Sequence, residues 1–104
     1  MAKKLEDLPI YSRAEDFCGA IDALLERPSM RRNRDLHGQI TRANDSILAN
    51  MEEGFEQGSD RAFANYLTHS KGSVAEVMRR LKRRALRSFS RQPMWMPVSS
   101  QERS

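Results

Sequence analysis

The chain has 104 residues and a formal net charge of +4, enough for one small domain, and a chain this short gains useful apolar burial by self-association. Gly, Pro and β-branched residues are sparse beside Ala, Leu, Arg and Glu, which argues against a sheet and predicts an all-α protein. No apolar run reaches the ~20 residues that span a bilayer, and Lys3-Lys4 leads into Leu5-Glu6-Asp7 and not into an apolar signal core, so a cytoplasmic protein without a membrane partner is expected.

Ser12 and Glu15 have the capping-box spacing, and Ala14, Phe17, Ile21, Leu24 and Leu25 repeat on one face, predicting a first helix from about Ser12 to Arg27. Within it Cys18, the only cysteine, permits neither an intrachain disulfide nor a cysteine cage and is expected to pack as a small apolar side chain. Pro28 ends that helix, and residues 28–34 read as a polar, basic connection.

A second helix starts near Asn33 to Asp35 and runs to about Glu53, with Gly54 or Gly58 as the left-handed residue that closes it. Ser59 or Asp60 caps a third, in which Phe63, Leu67, Ser70, Val74, Val77 and Leu81 alternate steps of four and three, the period of shallow-angle bundles. Short connections favour antiparallel neighbours and an up-down arrangement. After Ala85 the pattern fails. Leu86 and Phe89 extend the helix by at most a turn, and Pro93 and Pro97 block any continuation. Residues 1–89 therefore form the bundle and residues 90–104 a flexible tail, in which Met94, Trp95 and Met96 make a short apolar cluster.

The segment Q-I-T-R-A-N-D-S-I-L-A-N-M-E-E-G, Gln39 to Gly54, sets two stripes side by side. Leu36, Ile40, Ala43 and Ile47 form an apolar one, and Gln39, Arg42, Ser46, Asn50 and Glu53 run parallel one position round. Gln, Ser and Asn beside a core seam suggest side chains that meet fixed partners at a helix–helix or subunit contact, the plain alternative being the boundary between core and solvent. Asn50 and Glu53 are read as structural, bonding across helices or to backbone of the following turn.

Charge is unevenly distributed. Residues 1–78 carry ten Lys or Arg against thirteen Asp or Glu, and residues 79–104 eight against one. Arg79, Arg80, Lys82, Arg83, Arg84, Arg87 and Arg91 form a run without an acid, spread round a helix with Leu81 and Ala85 left to face the core. Such a run contacts nucleic-acid phosphates without reading bases, or else is a solvated helix end or a contact for an acidic protein. Glu52, Glu53 and Glu56 lack a His one turn away, as di-iron bundles require, so they read as an acidic helix end and no metal is expected. His37 and His69 stand apart from any nucleophile motif and read as two partly exposed histidines. Gly54, Gly58 and Gly72 lack the strand and spacing of a phosphate loop. No enzyme, catalytic residue or cofactor is expected.

These residues resemble the bacterial four-helix-bundle proteins named for genes within intervening sequences of 23S ribosomal RNA. The motif from Gln39 to Gly54 carries the likeness, followed by Phe63, Tyr66-Leu67 and Gly72-Ser73 with Glu76, over about Leu8 to Ala85. The resemblance implies an antiparallel four-helix bundle that assembles as a homopentamer with a central channel. It also implies kinship with accessory proteins of diversity-generating retroelements, which bind nucleic acid and a reverse transcriptase. Residues 86–104 depart from the family's fourth amphipathic helix, which is truncated or irregular here. The functional expectation is a self-associating, non-enzymatic bundle that touches RNA or DNA phosphates through residues 79–91. Its rivals are a scaffolding bundle that binds only protein and a degenerate family member.

Overall fold

Two prolines start helices in this chain. The computed structural model describes residues 4–90, with side chains described through Arg87. Among them are a 3₁₀ turn, Leu5–Asp7, and four α-helices: α1 (Pro9–Leu25), α2 (Pro28–Arg32), α3 (Arg34–Glu56) and α4 (Asp60–Ser90). The fold is all-α, with no strand among the described residues.

Pro9 occupies the first position of α1, where its fixed φ suits the helix and its missing N–H is one that would have no intrahelical partner. The helix therefore begins before Ser12, which lies inside it and does not act as the expected cap. Pro28 ends one helix and opens another for the same reason, so the basic connection predicted over residues 28–34 is a short helix, α2, anchored by buried Met30. Asn33 separates α2 from α3, and its side-chain oxygen accepts from Leu36 N at 3.3 Å as an N-cap.

Of the two glycines that could end α3, Gly58 takes the left-handed conformation, at φ +81. Gly54 stays helical for a different reason. A Cβ built there would stand 2.6 Å from Tyr66 Cβ, so only glycine permits α3 and α4 to come this close. Ser59 caps α4, its hydroxyl accepting from Ala62 N at 3.1 Å. α4 takes in the extra turn expected from Leu86 and Phe89 and continues through Ser90, the first residue of the predicted tail. The remainder of that tail, with Arg91 and Met94-Trp95-Met96, lies outside the described residues.

The buried core follows steps of three and four on every long helix. Cys18, Ile21 and Leu25 of α1 meet Ile40, Ala43 and Ile47 of α3, Met30 of α2 and Val77 of α4. Tyr11, Met51 and Leu5 form a second cluster towards the other end, flanked by Phe55 and Phe63, whose rings meet edge to face with centroids 6.0 Å apart. α3 supplies the seam for both neighbours. Tyr11 reaches Glu52, and Cys18 reaches Asn44, so α1 and α3 run in opposite senses. Ser70 reaches Ile47, and Arg80 reaches Gln39, so α3 and α4 do too.

One predicted core position is overturned. Ala85 is exposed, because α4 runs out beyond the buried cluster, whose last contact on this helix is Leu81. The core side of α4 stops at Leu81, which packs partly buried against the first cluster.

Candidate functional site

The polar stripe of α3 meets α4 at two points. Arg80 Nη1 donates to Gln39 Oε1 at 2.6 Å, and Arg80 Nη2 donates to Glu76 Oε1 at 3.1 Å. About two turns along α3, the Ser46 and Ser73 hydroxyls share a hydrogen bond. The rest of the stripe turns elsewhere. Asn50 donates to Ser46 O of the preceding turn, at 2.7 Å, and not to a following turn or another helix. Glu53 is exposed and accepts from Gln57 at 3.2 Å, Arg42 is exposed, and Gly54 is the close-approach point to Tyr66.

The basic run divides by helix geometry. Positions 80, 83, 84 and 87 fall on one side of α4. Together with Asn33, Asp35, Leu36 and Gln39 these arginines line a concave cleft of about 310 Å³ between the first turns of α3 and the last turns of α4. Arg79 and Lys82 are exposed and do not line it.

The four arginines are held differently. Arg80 is committed to Gln39 and Glu76, and its Nε is shut off from solvent without a hydrogen-bond partner. Arg84 Nη2 donates to Ser29 O of α2 at 3.2 Å. Arg83 and Arg87 are exposed and have no ion-pair or hydrogen-bond partner among the described residues. Asp35 is the one acidic side chain on the cleft wall. Glu76 neutralises Arg80 from just outside the cleft, so Arg83, Arg84 and Arg87 against Asp35 leave a formal excess of two positive charges, which makes the cleft receptive to an anion.

Asn44 was not legible as a tethering residue, although a signal for it exists. Ile40, Asn44, Ile47 and Met51 alternate steps of four and three, and a lone polar residue in such a repeat marks a buried partner. Asn44 Nδ2 donates to Cys18 O at 3.1 Å and to Asp22 Oδ1 at 3.0 Å, pinning α1 to α3, while its Oδ1 is buried without a partner. Burial pushes the Cys18 thiol above its ordinary range, and the Asp22 and Asp45 carboxylates add to the shift. The Tyr11 phenol is raised likewise, first by burial and then by Glu52, whose carboxylate accepts its hydrogen bond at 3.3 Å.

His37 is partly buried, whereas His69 is exposed with its ring edge-on to Tyr66. Among the described residues no group of three or more His, Cys, Asp or Glu is placed to hold a metal ion. None of the described helices is long and apolar enough to cross a membrane.

No curated protein and no solved structure matches the chain. The family model for the 23S rRNA-intervening sequence protein matches residues 6–91, a span that contains α1 to α4, the Gln39–Gly54 motif with its α4 partners, and the arginine cleft. The chain belongs to the 23S rRNA-intervening sequence protein family.

Proposed function

We propose that this protein is a non-enzymatic, self-associating helical bundle that contacts RNA or DNA phosphates through the basic end of α4. The convergence of Arg80, Arg83, Arg84 and Arg87 on one cleft, with Asp35 as the only acid there, carries the phosphate reading. Guanidinium forks match phosphate oxygens in planar, two-pronged hydrogen bonds, and contacts of this kind carry no base sequence information. The reading is tested by titrating a generic fluorescent oligonucleotide at rising salt. Affinity is expected to fall steeply with salt, and Arg83→Ala with Arg87→Ala to weaken binding and flatten the slope. A salt-independent affinity, or one untouched by the double substitution, would leave the scaffolding reading in its place.

Self-association rests on a second surface. α1 and α4 both pack on α3 and leave between them an apolar groove with Ile47 and Met51 on its floor and Ile10, Phe17, Leu67 and Val74 along its walls. A second copy of the chain is the occupant proposed for it, because a single small domain leaves this face open and gains burial by pairing. The family resemblance supplies the expected number, a pentamer. A reverse transcriptase is the protein partner that the resemblance suggests for the assembled form.

A further inference from the structure

The cleft differs from an open basic face in a way that restricts which phosphate fits it best. Resting on the phosphate-contact reading, we infer that the cleft takes a phosphate monoester: a terminal phosphate of a nucleic-acid strand or the phosphate of a mononucleotide, in preference to a phosphodiester within a strand.

The first ground is shape. The Arg80–Gln39 hydrogen bond crosses from α4 to α3 at the end of the cleft nearest the middle of the bundle. The Arg84–Ser29 bond ties α4 to α2 alongside it. A group entering between Arg83 and Arg87 therefore meets a closed end. A monoester has one substituent and can stop there, whereas a diester must lead a chain out on both sides of the phosphorus.

The second ground is charge. An internal diester carries one negative charge, while a monoester with a second pKa near ~6 carries nearly two at neutral pH. With Arg80 paired to Glu76, Arg83, Arg84 and Arg87 repel one another against the single Asp35, a formal excess of two that a dianion matches and a monoanion only halves. Arg83 and Arg87 lie one turn apart on the same side of α4, the spacing at which two side chains converge on one ligand. Arg80 and Arg84 are already committed and act as positioning residues, setting the wall against which the two others close.

Two oligonucleotides of one sequence, with a 5′-phosphate or a 5′-hydroxyl, distinguish the inference from the reading it rests on. The phosphorylated strand is expected to bind roughly tenfold more tightly, the worth of an added charge-assisted contact. Arg83→Gln and Arg87→Gln should abolish that preference, and Arg79→Gln with Lys82→Gln should weaken both strands equally. Both pairs are exposed, so circular dichroism is expected to be unchanged. Equal binding of the two strands would overturn the monoester inference and leave general phosphate contact standing. Failure of both strands to bind would overturn the nucleic-acid reading itself. A nucleoside monophosphate added as competitor separates the two sources. Displacement of the phosphorylated strand at micromolar concentration supports a mononucleotide ligand, and persistence of the preference under excess competitor supports a strand end.

Discussion

Gly54 shows how a single missing methyl group sets the distance between two helices. Its hypothetical Cβ meets Tyr66 Cβ at 2.6 Å, an atom fixed to the α4 backbone that no rotamer change can move away. Gly54→Ala must push α3 and α4 apart, and a loss of about 1–3 kcal/mol of stability is expected in urea or guanidinium unfolding, in line with overpacked cores. Tyr11 and Cys18 give a second residue-level outcome. Their folded-state pKa values lie above the ordinary 10.0 and 9.0. At pH above those ordinary values the unfolded chain releases protons that the folded chain retains, so unfolding becomes easier as pH rises. Stability is therefore expected to hold below pH ~9 and to fall as pH climbs through the raised folded values, a decline that Tyr11→Phe should reduce. The Cys18 thiol, only 6% exposed, should react with a thiol reagent slowly in the native state and promptly in denaturant.

At the scale of elements, α3 is the strut on which the others depend. It runs antiparallel to both long neighbours and contributes Ile40 and Ile47, which are 0% and 1% exposed. Ile47→Ala is expected to cost about 2–5 kcal/mol, because neighbours drawn from α1 and α4 cannot both collapse into the space left. Asn44 joins the same strut to α1 through two donated hydrogen bonds. Asn44→Ala should cost about 1–3 kcal/mol by removing both bonds that tie α3 to the Cys18 carbonyl and to Asp22, and hydrogen exchange should show α1 loosened more than α4. The α1–α3 attachment relies on fewer partners than α3–α4, and α1 is the element expected to open first.

For the whole molecule, the open groove between α1 and α4 and the basic end of α4 make opposite demands. Apolar contact between copies strengthens as salt is added, and phosphate contact weakens. Light scattering is expected to give a mass above that of one chain that persists at high salt, and Ile10→Glu, at an exposed position on the groove wall, to reduce it towards one chain. Oligonucleotide binding measured on the same samples should fall over the same salt range. A mass that drops with salt instead would assign self-association to charge and not to the groove.

The helices and their inward faces were legible because periods of three and four constrain the chain locally: Phe17, Ile21 and Leu25, Ile40 and Ile47, and Val74 and Val77 all pack inward as their spacing required. The end of α3 was legible only to within two glycines: the helix runs to Glu56, past the expected Glu53, and Gly58, not Gly54, takes the left-handed φ. Ser12 misled because its capping-box spacing lies inside a helix that Pro9 opens, and Pro28 misled because a proline can be the first residue of a helix as well as a breaker, a choice that depends on whether a neighbour such as Met30 finds a core to enter. The basic run was legible as a concentration of charge, with an anionic partner as one expectation, but a run of charges carries no information about which helix stands opposite it. Helical spacing alone separates Arg80, Arg83, Arg84 and Arg87 from Arg79 and Lys82, but only the antiparallel register of α3 and α4, marked by the Gly54–Tyr66 approach and the Arg80–Gln39 bond, sets that side against the start of α3 to make a cleft. Local periodicity thus determined which residues turn inward, and long-range pairing, which no short window contains, decided where the arginines meet.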